Sequence, residues 1–157
     1  MKIKLIAVGS KMPAWVVTAF KEYQKRLPKI CELELIEIPA KHRGKNADIA
    51  RILREEAQAI SKMVDQQDKM IALDRRGKTI STEQLADSLQ QWIDDNQDIA
   101  LVIGGPEGIA PEMLASAQQK WSLSAMTFAH PVVRVMLAEQ IYRAWSIIAG
   151  SPYHRGD

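Results

Sequence analysis

Six residues limit what this chain can fold into. Asp98–Ile103, DIALVI, is apolar from its second residue and runs straight into Gly104 and Gly105. A strand that is apolar on both faces cannot lie on a surface. It suits the buried middle of a parallel sheet covered by helices on both sides. Three further strand-length runs precede it: IKLIAV (3–8), LELIEIP (33–39) and KMIAL (69–73). Helical patterns separate them. Pro13 opens PAWVVTAFKEYQKRL, whose Trp15, Val16, Ala19, Phe20, Tyr23 and Leu27 recur at helical spacing, and Pro28 closes it. Asn46 or Asp48 caps a helix reaching about Met63. Ser81–Gln84, STEQ, has capping-box form and starts a helix reaching about Trp92. Strand and helix thus alternate four times, which predicts an α/β fold with a mostly parallel sheet and helices on both faces. The 157 residues carry no repeat or long linker, so one domain over 1–157 is expected.

Composition excludes several classes. No run approaches the ~18 apolar residues of a membrane span. The N-terminal MKIKLIAVGSK reads as a strand rather than a signal peptide, so a cytoplasmic location is expected, with no membrane partner. A single cysteine, Cys31, leaves no internal disulfide, and three scattered histidines give no metal spacing. Net charge is only +2, but KHRGKNADIARILR (41–54) sets Lys41, His42, Arg43, Lys45, Arg51 and Arg54 against one acid, Asp48. Such a patch can bind phosphates. His42, Arg43 and Lys45 are the candidates there.

The C-terminal third is less regular. A helix is expected over Pro111–Lys120, then WSLSAMTFAHP with a possible short strand, then one helix through VVRVMLAEQIYRAWSIIAG. That last helix is apolar around most of its circumference and needs burial on two sides. A second copy, giving an isologous homodimer, is one way to supply it; a fully buried central helix is the other. Glu139 and Arg143, four apart, are placed to pair.

Open parallel sheets bind ligands beyond the carboxyl ends of their strands, where Gly104 and Gly105 lie. The stretch GGPEG is neither a P-loop nor a dinucleotide fingerprint. Glu107 beside it disfavours a polyphosphate. A neutral or cationic adenosine derivative fits, and S-adenosylmethionine is one such ligand, permitted but not selected by this argument.

Taken together, LIAVGSKMPAW, ELIEIPAKHRGKNADIARIL, LVIGGPEG, WSLSAMTFAHPVVRVMLAEQIYRAWSI and the ending PYHR resemble the ribosomal large-subunit pseudouridine methyltransferase H family. These are SPOUT-class, trefoil-knot RNA methyltransferases, and the resemblance runs from the first strand to the tail. It implies a C-terminal trefoil knot, S-adenosyl-L-methionine as cofactor, no metal, and a homodimer. It also implies N3-methylation of a pseudouridine in large-subunit (23S) rRNA on the assembled ribosome. A SPOUT enzyme acting on tRNA and a non-enzymatic RNA-binding or ribosome-assembly module are the alternatives. The cofactor site then falls on Leu73, Gly104, Gly105, Leu123, Ser124, Ala125, Met126, Thr127 and Phe128. His154, Arg155 and Tyr153 become the catalytic candidates: His154 as base or orienting group, Arg155 and Tyr153 as substrate contacts. His130, Glu107, Arg134 and Arg143 are secondary candidates, the two arginines as groups facing the other subunit's site. Gly156 and Asp157 extend past the family's usual end.

Overall fold

A computed structural model describes residues 1–155. Five strands lie in the order β2-β1-β4-β3-β5, all paired in parallel. They are β1 (Lys2–Val8), β2 (Glu32–Ile38), β3 (Lys69–Thr79), β4 (Ile99–Ile103) and β5 (Gln119–Ser122). The apolar run Ile99–Ile103 is the central strand. β4 is buried along its whole length between β1 and β3. Its side chains alternate between two cores. Ile99, Leu101 and Ile103 join Ile3, Leu5, Leu89 and Ile141 on one face, while Ala100 and Val102 join Ile6, Val8, Ile60 and Met113 on the other. The helices covering the first face are α1 (Ala14–Gln24), α3 (Thr82–Asp94) and α5 (His130–Ile148); α2 (Ile49–Ser61) and α4 (Pro111–Ser116) cover the second.

The local start signals operate as expected. The Asp48 side chain accepts from the Arg51 N–H at 3.1 Å. Ser81 and Gln84 form a reciprocal box, with Ser81 Oγ accepting from the Gln84 N–H at 3.1 Å and Gln84 Oε1 accepting from the Ser81 N–H at 2.8 Å.

Two boundaries differ from expectation for one reason. The helix expected to reach Lys120 stops at Ser116, and β3 runs to Thr79 rather than Leu73. Gln118 clips onto β3 through both its N–H, donated to the Met70 carbonyl at 3.0 Å, and its side-chain Oε1, which accepts from the Met70 N–H at 2.8 Å. The chain is thereby drawn into β5, and β5 in turn gives the polar residues Lys78 and Thr79 a pairing partner. Long-range pairing overrides local pattern here.

Helix α5 buries Leu137, Ala138, Ile141 and Ala144, but Val132, Val133, Val135, Met136, Ile147 and Ile148 remain only half-buried. It is therefore not a fully buried central helix within one chain. The strand order, with β5 outermost, agrees with the threaded C-terminal segment that the resemblance implies. Among the described residues no helix is long and apolar enough to cross a membrane.

Candidate active site

Register brings the three sequence-predicted cofactor segments to one place. Leu73 of β3 lies opposite Ile103 of β4 on one side and Trp121 of β5 on the other. The residues just beyond these positions are Gly104 and Gly105 after β4 and Leu123–Phe128 after β5. All three segments emerge side by side at the carboxyl edge of the sheet. The surface they make is partly apolar and uncovered. Leu73, Leu123 and Phe128 are half-buried, and Met126 is 72% exposed. The last segment is braced by its own serines: Ser122 Oγ donates to the Ser124 carbonyl at 3.0 Å, and Ser124 Oγ accepts from the Met126 N–H at 3.0 Å.

The glycines have a different first cause from the one their position suggests. A Cβ on Gly104 would sit 2.4 Å from the carbonyl carbon and oxygen of Gly108. The Gly108 N–H donates to the Gly105 carbonyl at 2.9 Å, and Gly108 has φ +83°. Gly105-Pro106-Glu107-Gly108 is thus a tight turn folded onto the end of β4, and its closure alone requires glycine at 104 and favours it at 108.

Arg43 ties this turn to the rest of the chain. Its guanidinium binds Glu56 of α2 at 2.8 and 3.1 Å, donates to the Lys41 carbonyl at 2.9 Å, and pairs with Glu107 inside the turn. Arg43 is accordingly occupied and mostly buried, unlike its neighbours His42 and Lys45, and is not the free phosphate contact expected from sequence. Burial lowers its pKa, but Glu107 and Glu56 outweigh that and hold it above the ordinary value. In exchange, Glu107 neither faces solvent alone nor projects uncompensated charge over the strand ends. Glu56 was missed in the sequence. Its signal was there: Ile52, Glu56 and Ile60 share one buried stripe of α2 at four-residue spacing, so an acid stood among apolar neighbours.

The tail is not frayed. Pro152–Arg155 forms a 3-10 turn packed on α5. Tyr153 Oη donates to Glu139 Oε1 at 3.1 Å and lies 3.4 Å from the Tyr23 hydroxyl. Arg143 holds both Glu139, at 2.6 and 2.9 Å, and the Tyr153 carbonyl, at 3.2 Å. Burial first, then the bonds to Tyr23 and Glu139, push the Tyr153 phenol well above its usual pKa, so it stays protonated. His154 follows with its Nδ1 shielded from solvent and without a partner, and Arg155 is exposed. Among the described residues, the tail's hydrogen bonds and ring contacts run to α1 and α5, and none runs to Leu73, the glycine turn or Leu123–Phe128.

Arg143 therefore serves its own chain's tail. Arg134, expected to face another subunit, is also turned inward: 1% exposed, it donates to Glu37 at 2.7 Å and to the Gly9 carbonyl at 2.8 Å. Gly9 adopts φ +124°, a conformation side-chain-bearing residues rarely take, and in it presents its carbonyl to Arg134. His130 packs beside it with its Nε2 unpaired, and burial, reinforced by the Arg134 charge, lowers its pKa so that it is neutral near pH 7. A separate groove of about 510 Å³ opens between α1, β2 and Arg134, lined by Val16, Phe20 and Leu35 with Lys11 and Glu37 at its rim.

A family profile described as "Predicted SPOUT methyltransferase" matches residues 1–154. The chain belongs to the SPOUT methyltransferase family. Members of that family generally take their methyl group from S-adenosylmethionine. Among curated relatives, "Ribosomal RNA large subunit methyltransferase H" of Ectopseudomonas mendocina (strain ymp) is 52% identical over 155 residues, covering 99% of this chain and 100% of that protein. The protein of the same name from Pseudomonas putida (strain W619) is 51% identical over the same span. A solved structure, "a probable methylase family protein from Haemophilus influenzae Rd KW20", superposes with a TM-score of 0.57 over 96% of this chain and 68% of its own, at 12% identity. That likeness concerns the fold alone. The edge thus offers apolar walls, strand-end main chain and a neighbouring acid, Glu107, already neutralised by Arg43.

Proposed function

We propose that this chain methylates N3 of a pseudouridine in large-subunit (23S) rRNA on the assembled ribosome, with S-adenosylmethionine as donor. The convergence of Leu73, Gly104–Gly105 and Leu123–Phe128 at one sheet edge carries this reading. The full-length similarity to proteins named as large-subunit rRNA methyltransferases supports the choice of RNA. The working unit is a homodimer of single SPOUT-type domains in the cytoplasm. The half-buried apolar face of α5 supports it, and so do tail hydrogen bonds and ring contacts that, among the described residues, run to α1 and α5 of its own chain. In that dimer the tail of one subunit serves the strand-end site of the other.

The donor, when bound, supplies an activated methyl group on a sulfonium and needs no metal. Leu73, Leu123, Met126 and Phe128 cover its apolar faces, and main-chain groups at Gly104, Gly105 and 124–127 read its edge. The pyrimidine N3 carries a proton that must leave before or during attack. His154 accepts or orients that proton through its imidazole. Arg155, exposed on the same turn, stabilises the anionic base or an adjacent phosphate. Tyr153 contacts substrate through its ring while its hydroxyl stays bound to Glu139.

Ribosomes lacking the modification, incubated with the protein and isotopically labelled donor, should yield one labelled nucleoside with the mass of a methylpseudouridine. Donor binding without any methylated nucleoside would instead favour a non-enzymatic assembly module, and label in tRNA alone would favour the tRNA enzyme.

A further inference from the structure

The outer edge of the sheet carries a feature that methyl transfer leaves unused. β3 leaves the ladder after Leu73 and rejoins it at Lys78, yet both residues lie opposite the same partner, Trp121 of β5. Asp74, Arg75, Arg76 and Gly77 are therefore an excursion from the sheet. Gly77 closes it. A Cβ there would lie 2.6 Å from the Lys120 carbonyl carbon and 2.7 Å from its oxygen, so only glycine allows the two backbones to cross this closely. The crossing sets Lys120 beside the Arg76–Lys78 segment.

Arg75, Arg76, Lys78 and Lys120 are all exposed. Two carboxylates stand near them: Asp74, 3.6 Å from Arg76, and Asp87 of α3, which shares a shallow depression with Lys78 and Lys120. Among the described residues Arg75, Lys78 and Lys120 form no ion pair. Lysines on an edge strand can serve only to discourage edge-to-edge pairing. That accounts for Lys120, but not for Arg75 and Arg76, which sit where no pairing occurs. Arg43, the better phosphate candidate by sequence, is held by two acids.

We infer that Arg75, Arg76, Lys78 and Lys120 form a phosphate-gripping ridge that holds the sugar–phosphate backbone of the RNA substrate. The ridge begins two residues after Leu73, so it places that backbone at the mouth of the methyl-donor site. This inference rests on the rRNA reading above. Exposed cations on this sheet edge match a flexible polyanion and release its counterions on binding.

The test is co-sedimentation of the full-length protein with ribosomes over a salt series. Changing all four residues to glutamine should lower the magnitude of the log K against log salt slope by about 3, at ~0.7–0.9 per phosphate contact, and weaken binding at least about tenfold at physiological salt. A control variant, Lys29→Gln with Lys62→Gln, removes two exposed cations from loops at the opposite end of the strands and should keep the wild-type slope. Calorimetry with S-adenosylmethionine should give wild-type affinity for both variants, which separates lost RNA contact from misfolding. An unchanged slope in the four-residue variant overturns the ridge even if the wild type methylates rRNA normally. A slope that falls as much per charge removed in the control also overturns it, since only bulk charge would matter. Failure of the wild type to label rRNA in the nucleoside assay would strike the functional reading instead.

Discussion

Changing His154 to alanine should lower turnover on ribosomes by about 10²–10⁴-fold, the usual contribution of a positioned acid–base group, with S-adenosylmethionine affinity unchanged. The split follows from the geometry. His154 sits on a turn held by Tyr153, Glu139 and Arg143, and among the described residues no hydrogen bond or ring contact joins that turn to its chain's strand-end segments. Its loss should therefore remove a group that acts on substrate and leave the donor site whole. Single-turnover rates on ribosomes and calorimetric titration of the donor would measure the two quantities separately. Equal losses in both would show that His154 belongs to the donor site and would contradict the assignment.

The second large effect is on folding. Arg43→Ala should destabilise the protein by about 3–5 kcal/mol, because it strands the carboxylate of Glu56 in the interior without its guanidinium. For a chain of this length that is a fall in melting temperature of about 10 °C. The same change frees Glu107 beside the strand ends, so donor affinity should fall as well. The double variant Arg43→Met with Glu56→Leu removes both buried charges and should regain most of the stability but not the donor affinity, since Glu107 stays unpaired. Thermal unfolding and calorimetry on the three proteins check this. A single variant as stable as wild type would mean that water, not Arg43, satisfies Glu56.

Both predictions draw on what local sequence could and could not disclose. The central strand, the capping box at Ser81 and the Glu139–Arg143 pair were legible because each depends on residues a few positions apart. The strand-end site was legible in part: Gly104 and Gly105 marked the right edge, although closure of the Gly105–Gly108 turn, not a ligand, explains why Gly104 cannot carry a side chain. The rest depends on partners far apart in the chain. Arg43 meets Glu107 across 64 positions, and Arg134 meets Gly9 across 125. No periodicity in KHRGK distinguishes a solvated cation from a buried hub. The second half of β3 was hidden for the same reason. DRRGKT has no apolar alternation, and its last two residues, Lys78 and Thr79, rejoin the sheet only because β5 arrives beside them. The resemblance to a known family supplied what spacing could not, namely an expected ligand for the edge and expected substrate contacts in the tail.

The central claim is that the carboxyl edge formed by Leu73, the Gly104–Gly105 turn and Leu123–Phe128 holds the methyl donor. A crystal structure of the protein grown with S-adenosylmethionine tests it most directly. The expected result is an adenine ring covered by Leu123, Met126 or Phe128, with its edge read by main-chain groups of those three segments. A donor seated in the groove between α1 and β2 beside Arg134, with the strand ends bare, would contradict it.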